Sequence, residues 1–284
     1  MRGGRLWKIG DRVFDVSQQG LIMGVLNVTP DSFSDAGEFF SAERAIEHGL
    51  RMAAEGAHII DIGGESTRPG AESVAAEEEL RRVVPVIERL RAKTDVVISI
   101  DTSKTQVART AVQVGASIVN DVTGGRDDKK MMPLIAETKS AFIIVHMQGT
   151  PRTMQIEPRY ADVVSEIADF FRQQYARAIG YSIDPMAIAF DPGIGFGKML
   201  EHNIELLAQL EQLRVHDRPL AVGVSRKSFL SKLIGSRAMN DRLAPAVALT
   251  SLLRARGADV FRVHDVKENV SALRVTEAIL QRVK

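Results

Sequence analysis

Eight short runs of apolar residues recur along the chain, and each run gives way to a polar or charged residue. The run at 58–63 shows the pattern most clearly, because it leads directly into a polar, glycine-containing segment at 64–70. Runs of this length that are apolar on both faces are typical of buried parallel strands. The other runs lie at 21–26, 96–100, 117–119, 142–145, 186–190, 220–224 and 260–261, and they end at Asn27, Asp101, Asn120, His146, Asp191, Ser225 and Arg262. We therefore predict eight β-strands with polar side chains at their carboxyl ends.

Predicted helices separate these strands. They lie at 41–54, 75–93, 103–114, 127–139, 161–179, 202–213, 225–234, 241–255 and 265–282, and their predicted first or capping residues include Thr102 or Ser103, Asp127 and Asp265. Residues 6–16 alternate around Gly10 and Asp11, which predicts a short β-hairpin over one end of the fold. An eightfold alternation of strand and helix favours an α/β fold, a (β/α)8 TIM barrel with a short N-terminal β-hairpin, over an open doubly wound sheet.

Composition excludes several classes of protein. The 284 residues suit a single domain spanning 1–284, and the formal net charge of +1 gives no reason to expect a nucleic-acid partner. The absence of cysteine excludes disulfides, thiolate catalysis and cysteine-based zinc sites. No apolar run reaches the roughly 20 residues that a membrane span needs, and the N-terminus has no signal-peptide pattern. We expect a soluble cytoplasmic protein without a membrane partner.

Four of the strand-end residues can bind a flat heterocycle. In a closed barrel the carboxyl ends of all strands meet on one face, where barrel enzymes place their chemistry. Asp101, Asn120, Asp191 and Lys227 would bring two carboxylates, an amide and an ammonium to that face. Carboxylates accept paired N–H groups, such as those on the edge of an amino-pyrimidine. The alternative is a structural ion pair between Lys227 and one of the aspartates.

A second set of strand-end residues suits an anion. Asn27, Arg262 and His264 follow the first and last strands, which are neighbours in a closed barrel, and phosphate sites in barrels tend to lie near the last strands. An oxygen ligand such as Asn27 beside a phosphate could hold Mg²⁺. His264 taken alone could instead be a helix-capping residue. The segment 225–228 precedes a helix whose free N–H groups also favour an anion.

Three glycines, Gly193, Gly195 and Gly197, lie in the segment after Asp191. Their spacing lacks the end of a dinucleotide-binding fingerprint, and no matching first βα unit precedes them. We predict that they permit a tight loop that presents Phe196.

The chain resembles the dihydropteroate synthases, the folate-pathway enzymes that sulfonamides inhibit. The resemblance covers nearly the whole chain and rests on six motifs in order, at 24–33, 61–70, 146–151, 191–198, 225–229 and 262–265. Ser231 departs from the pattern, which often has glycine there. The resemblance implies that 6-hydroxymethyl-7,8-dihydropterin diphosphate and 4-aminobenzoate are the substrates, that 7,8-dihydropteroate and diphosphate are the products, and that Mg²⁺ and a homodimer are involved.

The resemblance also implies a role for each motif residue. It places the pterin on Asp101, Asn120, Asp191 and Lys227, and it places the diphosphate on Arg262, His264 and Asn27, with Mg²⁺ at Asn27. It places 4-aminobenzoate near Thr67, Pro69, Phe196 and Ser228, under loops that carry Phe33, Asp35 and Arg68. The residues it implies in catalysis are Asp35, Asp101, Lys227, Arg262 and His264.

Three other functions remain to be weighed. A pterin-barrel methyltransferase would share the Asp and Asn pterin edge but would not use an anion site. A Schiff-base aldolase on Lys227 would need a lowered lysine pKa, which neighbouring aspartates oppose. A non-catalytic pterin-binding paralogue is the third alternative, although every motif residue is present.

Overall fold

Ten strands are present in the computed structural model, which describes residues 4–29, 38–67 and 70–282, with the backbone alone at 38–41. The first two strands, β1 (Leu6–Ile9) and β2 (Arg12–Asp15), form an antiparallel hairpin. The remaining eight form one parallel sheet: β3 (Leu21–Asn27), β4 (Ile59–Gly63), β5 (Val97–Asp101), β6 (Ile118–Asp121), β7 (Ala141–Val145), β8 (Ile188–Asp191), β9 (Ala221–Val222) and β10 (Val260–Val263). All eight predicted strands are confirmed.

The eight parallel strands run around a barrel in the order in which they follow one another along the chain. The last strand, β10, pairs with both β9 and the first barrel strand, β3, so the sheet curls back on itself. An isolated parallel bridge joins Phe190 to Leu220, and the Phe190 amide donates to the Pro219 carbonyl at 2.9 Å, which brings β8 beside β9. This closure confirms the barrel and rejects the open doubly wound sheet.

Side-chain alternation divides the barrel interior into an apolar half and a polar half. Along β4, Ile60 and Ile62 pack outward in the core beneath the helices, whereas Ile59 faces the interior with the first layer of apolar side chains. Asp61 follows Ile59 on the same interior face. The same step occurs on β5, from Val97 to Asp101, and on β10, from Val260 to Arg262. The interior therefore turns polar toward the carboxyl ends of the strands.

The hairpin covers the apolar half. Trp7, Ile9 and Val16 are buried against the first-layer residues of the barrel strands, and the Trp7 indole N–H donates to the Ala187 carbonyl at 3.2 Å. The predicted position of the hairpin over the amino-terminal end is confirmed. The other end of the barrel is left for the polar side chains.

Nine α-helices lie in the described part of the chain, at α1 (Glu38–Ala54), α2 (Ala76–Arg91), α3 (Thr105–Gln113), α4 (Met131–Thr138), α5 (Val163–Gly180), α6 (Leu200–Ala208), α7 (Ser228–Ile234), α8 (Leu243–Ala255) and α9 (Val266–Leu280). No helix in that part is both long and apolar enough to cross a bilayer.

The predicted starts of α3 and α4 are wrong. The α3 helix begins at Thr105 rather than after Thr102 or Ser103, and α4 begins at Met131 rather than at Asp127. The cause is a contact that local sequence does not reveal. The Asp128 carboxylate accepts the Thr105 amide and the Lys130 amide, each at 3.0 Å, so one side chain from a neighbouring loop serves the starts of both helices.

Asp265 occupies the predicted cap position before α9, but its carboxylate makes no capping hydrogen bond there. It accepts instead from the Arg226 guanidinium, with Nε at 3.2 Å. The predicted cap is thus right in position and wrong in role, because an ion pair across the loop takes the carboxylate away from the helix end.

Candidate active site

A cavity of about 560 Å³ opens at the polar end of the barrel. Such a volume lies within the range of small-molecule binding sites. Residues from six strand ends or the loops after them line it, and seven of the predicted site residues are among them: Asn27, Thr67, Phe196, Lys227, Ser228, Arg262 and His264. Asn27 and His264, which are 237 positions apart in the sequence, therefore line the same cavity, as the barrel prediction requires.

Asp61, Asp101 and Asn120 form a buried polar floor. Arg262 reaches down from β10, and its Nε donates to Asp61 Oδ2 while its Nη2 donates to Asp101 Oδ2, each at 2.6 Å. The Asn120 side-chain amide donates to the same Asp61 oxygen at 3.2 Å. Arg262 was predicted among the anion-binding residues alone, but in the structure it joins that group to the carboxylates.

The floor keeps unused hydrogen-bond acceptors. Asp61 Oδ1 and Asn120 Oδ1 are both buried and have no hydrogen-bond partner among the described residues. Buried polar atoms are nearly always paired, because an unpaired acceptor costs about 1–3 kcal/mol. Asp61 and Asn120 do not line the cavity themselves, but Asp61 is paired with Arg262, which does. Orphan acceptors directly behind a cavity-wall residue are typical of a site that receives N–H donors from a ligand.

Burial and neighbouring charges shift the pKa values of the floor. Burial raises the pKa of Asp101 to about 7, and the nearby Asp61 carboxylate adds to this, although the Arg262 guanidinium opposes it. Burial alone would lower the pKa of Arg262, but its two carboxylate partners raise it above the ordinary value. Arg262 thus remains a cation, and Asp101 changes charge near neutral pH.

Lys227 lies at the side of the cavity, against the loop after β8. Its Nζ donates to the Ile194 carbonyl at 2.6 Å and lies 3.8 Å from the centre of the Phe196 ring. An ammonium at that position is stabilised by the ring's negative face. The ion pair between Lys227 and an aspartate, which was the alternative to ligand binding, is not formed among the described residues; Arg262 supplies the ion pair to Asp101 instead.

The neighbouring aspartates oppose a lowered Lys227 pKa, as predicted, but burial outweighs them. Burial lowers this pKa to about 8, and Asp191 and Asp101 only partly oppose the shift. A lowered Lys227 pKa is what the aldolase alternative requires. The hydrogen bond from Nζ to the Ile194 carbonyl and the contact with the Phe196 ring both stabilise a charged ammonium. An aldolase needs a neutral amine that attacks the substrate carbonyl, so these two contacts argue against the aldolase more directly than the pKa does.

The loop that carries Phe196 requires glycine at two points. Gly193 and Gly197 have φ values of +64°, and a Cβ atom at either would lie 2.5 Å or less from a carbonyl oxygen of the 146–148 segment. This close approach packs the loop against the end of β7 and holds Phe196 at the cavity wall. The prediction that these glycines serve a tight loop is confirmed.

Asp191 and a buried lysine fix the base of that loop. Asp191 Oδ1 accepts the Gly193 amide at 2.7 Å, and burial raises the pKa of this carboxyl group. Lys198 Nζ contacts His146 Nδ1 at 3.0 Å and donates to the Phe196 carbonyl at 3.0 Å. Burial lowers the pKa of Lys198 and of His146.

The anion-binding residues lie around the first and last strands of the barrel. Asn27 ends β3, where it is paired in register with Gly63 of the adjacent strand, and its side chain lines the cavity. His264 contacts Ser225 through both its backbone amide and its ring Nδ1, with Ser225 Oγ at 3.2 Å from each. The hydroxyl therefore orients the imidazole.

Four predicted site residues, Phe33, Asp35, Arg68 and Pro69, lie outside the described residues, so their predicted roles stay predictions. Three residues of the described site were missed as site residues: Asp61, His146 and Lys198. Asp61 had a usable signal, because a carboxylate inside an apolar strand must face either a partner or a ligand. His146 carried the same signal as the other strand-end residues, a polar side chain directly after an apolar run. Lys198 carried no such signal, since its contact with His146 depends on two loops that meet only in the folded barrel.

Comparison with known sequences gives a consistent result. A sequence profile described as "Pterin binding enzyme" matches residues 23–264. The dihydropteroate synthase of Synechocystis sp. is 44% identical over 271 residues, covering 95% of this chain and 94% of the relative. The dihydropteroate synthase of Escherichia coli K12 is 46% identical over 259 residues, covering 91% of each chain.

Solved structures agree over almost the whole chain. A Yersinia pestis dihydropteroate synthase with a sulfonamide drug superposes with a TM-score of 0.91 at 41% identity, covering 97% of this chain and 99% of the other. The Xanthomonas albilineans enzyme with 4-aminobenzoic acid gives 0.91 at 42% identity, covering 98% of each chain. The Xanthomonas albilineans enzyme with 7,8-dihydropteroate gives 0.87 at 39% identity, covering 97% of this chain and 98% of the other.

Proposed function

The chain belongs to the dihydropteroate synthase family of pterin-binding enzymes, and on that premise we propose that it joins 6-hydroxymethyl-7,8-dihydropterin diphosphate to 4-aminobenzoate. The products are 7,8-dihydropteroate and diphosphate, and the reaction is a step in tetrahydrofolate synthesis. The observation that carries the proposal is the buried floor, where unpaired acceptors on Asp61 and Asn120 lie next to a guanidinium that is already in place.

The floor suits the amino-pyrimidine edge of the pterin. That edge presents several N–H donors in one plane, and the floor offers carboxylate and amide oxygens without partners. A charge-assisted hydrogen bond is stronger than a neutral one, so ionised Asp101 would hold the ring more firmly than its acid form. Lys227, which lines the cavity, and the buried Asp191 close to it complete the set of groups proposed to face the ring.

The leaving diphosphate suits the Arg262 and His264 side of the cavity. Arg262 uses Nε and Nη2 on the two carboxylates, so Nη1 remains to donate to an anion above the floor. As the bond between C9 and oxygen breaks, its electron pair leaves on the diphosphate, where the guanidinium and imidazole stabilise the developing charge. The C9 cation is conjugated with the pterin ring and lies near the floor carboxylates.

The second substrate then attacks. The aniline nitrogen of 4-aminobenzoate forms the new bond to C9 with its lone pair and afterwards releases one proton. An aniline is a weak nucleophile, which is why loss of diphosphate before attack suits this pair of substrates. Thr67, Phe196 and Ser228 line the same cavity and form the proposed wall of the 4-aminobenzoate site, with Phe33, Asp35, Arg68 and Pro69 on the loops that cover it.

Asn27 suits a Mg²⁺ ion held jointly with the diphosphate. Mg²⁺ binds through one or two protein oxygens, several waters and substrate phosphates, and Asn27 offers one amide oxygen at the cavity wall. The described residues contain no cluster of three or more His, Asp or Glu side chains that could hold a metal by themselves. Bound with diphosphate, Mg²⁺ would supply charge neutralisation of the leaving group. We expect Mg²⁺ affinity to depend on diphosphate.

We also propose a cytoplasmic homodimer. Three apolar side chains on the last two helices are well exposed, Leu252, Val275 and Ile279, and a second copy of the chain would cover them. Sedimentation of the wild-type chain and of Ile279→Glu tests the dimer. A monomer for both proteins at micromolar concentration contradicts it.

A turnover assay tests the function. Purified protein with both substrates and Mg²⁺ should form dihydropteroate and release diphosphate in a 1:1 ratio, and Asp101→Asn serves as the matched control of reduced activity. Methyl transfer from methyltetrahydrofolate in place of dihydropteroate formation would favour the methyltransferase alternative. Pterin binding without turnover would favour the non-catalytic paralogue, and borohydride trapping of a carbonyl substrate on Lys227 would favour the aldolase.

A further inference from the structure

A lysine after β5 ties the loop after β4 to helix α2. Lys104 Nζ donates to Glu79 Oε2 on α2 at 2.6 Å, and it also donates to Glu65 Oε2 on the loop that follows β4. The Glu79 side chain is fully buried, whereas the side chains of Lys104 and Glu65 are 26% and 20% exposed. A single ammonium therefore holds two carboxylates that come from different elements of the fold.

The ammonium of Lys104 stays charged at neutral pH. Burial alone would lower the pKa of Lys104, but its hydrogen bonds to Glu65 and Glu79 raise that pKa above the ordinary value. A carboxylate without exposed surface needs a cation beside it, because a buried charge without a partner is costly. The buried carboxylate of Glu79 thus fixes the position of the ammonium, and the ammonium in turn fixes Glu65.

Helix α2 also holds the backbone of the same loop. Arg82 Nη1 donates to the Gly64 carbonyl at 2.8 Å, and Arg82 Nε donates to Glu78 Oε1 at 2.7 Å. A Cβ atom at Gly64 would lie 2.7 Å from Val83 Cγ1, so the lack of a side chain permits this close approach to the helix. The loop is therefore attached at two consecutive residues, through its backbone at Gly64 and through its side chain at Glu65.

The two attached residues lead directly into the cavity wall. Ser66 and Thr67 come next in the chain and line the cavity, whereas Glu65 and Lys104 lie behind them and do not line it. Fixing Glu65 therefore limits the movement of the wall without placing a further charge in the site. Lys104 follows Asp101 by three positions, so the segment that begins with a floor carboxylate also carries the ammonium that holds the neighbouring loop.

We propose that Lys104 is a positioning residue for the second substrate. By joining Glu65 to the buried Glu79, it holds Ser66 and Thr67 at the part of the cavity wall where 4-aminobenzoate binds. This inference rests on the proposed function. Lys104 acts through the loop and contacts neither substrate.

Steady-state kinetics of Glu65→Gln test the proposal first, because this variant removes the charge on the loop and leaves Lys104 paired with the buried Glu79. We expect a native fold and about a fivefold rise in KM for 4-aminobenzoate, since a small displacement of a positioning group is costly. The KM for the pterin diphosphate should change by less than about twofold. Equal changes in the two KM values, or no change in either, would overturn the proposal.

Glu137→Gln is the matched control for this variant. It makes the same chemical change in the ion pair between Glu137 and Arg109, which lies on the exposed faces of α3 and α4 and outside the cavity wall. Both KM values should stay at the wild-type level. A rise in the KM for 4-aminobenzoate equal to that of Glu65→Gln would overturn the proposal, because the effect would then follow from the loss of any ion pair.

Variants of Lys104 separate positioning from a general loss of stability. Lys104→Met removes the ammonium, so the KM for 4-aminobenzoate should rise at least as far as in Glu65→Gln. Lys104→Arg keeps a cation that can serve two carboxylates, and we expect its KM to lie within about twofold of the wild-type value. Glu65→Gln should add nothing further in a Lys104→Met background, because both changes break one contact. Additive effects of the two changes would overturn the proposal.

Hydrogen exchange in the unliganded protein gives a measurement that does not depend on turnover. The backbone amides of residues 64–67 should exchange faster in Glu65→Gln than in the wild-type chain, whereas those of β5 should be unchanged. Equal exchange at 64–67 in the two proteins would overturn the positioning role. A wild-type chain that forms no dihydropteroate would instead reject the proposed function, and the exchange measurement would still test the attachment of the loop.

Discussion

The two ends of the barrel bury aspartates in opposite ways. At the amino-terminal end, Asp259 is fully buried and both of its carboxylate oxygens are paired: it accepts from Arg5 at 3.1 Å, from Arg214 at 2.8 Å and from the Leu220 amide at 3.0 Å, with Arg254 also in contact. At the carboxyl end, Asp61 is equally buried, but one of its oxygens has no partner among the described residues.

The contrast between Asp259 and Asp61 distinguishes an aspartate that stabilises the fold from one that is available to a ligand. A buried carboxylate with a complete set of partners contributes to folding only while that set is intact, and it offers nothing to a ligand. A buried carboxylate with an orphan oxygen costs free energy in the unliganded state, and that cost is recovered when donors arrive. The hairpin closes the first end with apolar side chains, whereas the second end is left open. Burial with an unpaired acceptor does not identify a site by itself, since Glu79 Oε1 on α2 is also buried without a partner among the described residues. At Asp61 the unpaired acceptor coincides with a bond to Arg262, a residue of the cavity wall.

The largest expected effect is at the closed end. Asp259→Asn should lower the free energy of unfolding by about 3–5 kcal/mol, because it removes the charge that compensates three arginines. Chemical denaturation measures this change. The kcat/KM per folded molecule should stay at the wild-type value, and a matching loss of kcat/KM would break the distinction between the two ends.

Asp101→Asn should give the reverse pattern. The native state already favours the protonated form of Asp101, since burial raises its pKa to about 7, and an amide resembles that form in shape. The free energy of unfolding should therefore change by less than about 1 kcal/mol. The kcat/KM for the pterin diphosphate should fall ten- to a hundredfold, because a charge-assisted hydrogen bond contributes about 1.5–3 kcal/mol. A stable variant with full activity would contradict the proposed role of the floor.

The pH profile of kcat/KM sharpens the comparison further. The kcat/KM should rise as Asp101 loses its proton near pH 7 and fall as Lys227 loses its proton near pH 8. The resulting pH profile is a narrow bell-shaped curve, in which kcat/KM falls about tenfold per pH unit on each side of the maximum. Because Lys→Arg keeps the cation charged, Lys227→Arg should remove the alkaline limb and leave the acid limb in place. An alkaline limb that persists in this variant assigns it to another group.

The smallest predicted effect is again at the closed end. Trp7→Phe removes the indole donor to the Ala187 carbonyl and should lower the free energy of unfolding by about 1 kcal/mol, with kcat unchanged. Val13→Ala, on an exposed position of the same hairpin, is the matched control and should change stability by less than about 0.5 kcal/mol. A fall in kcat for Trp7→Phe would show that the two ends are coupled.

Much of this architecture could be predicted from the sequence, because strands buried on both faces are apolar throughout and their ends are marked by a change to polar residues. Asn27, Asp101, Asn120 and Asp191 were placed correctly at strand ends for that reason. The ends of helices were less predictable. Asp128 serves the starts of two helices from one loop, a contact that depends on tertiary structure.

The pairing of polar groups could not be predicted either. The sequence places Arg262 and Asp61 201 positions apart, and nothing local indicates that the guanidinium turns down to the floor as well as toward an anion. Asp259 directly precedes β10 and Asp61 lies within β4, but the sequence does not show which partners the fold brings to each. Distinguishing a structural aspartate from a ligand-binding one therefore required the hydrogen-bond geometry.

The most direct test of the account is a crystal structure of the protein with 6-hydroxymethyl-7,8-dihydropterin diphosphate. The account predicts that the amino-pyrimidine edge donates to Asp61, Asp101 and Asn120, with the diphosphate between Arg262 and His264. A pterin bound elsewhere, with Asp61 Oδ1 and Asn120 Oδ1 still unpaired, would contradict it.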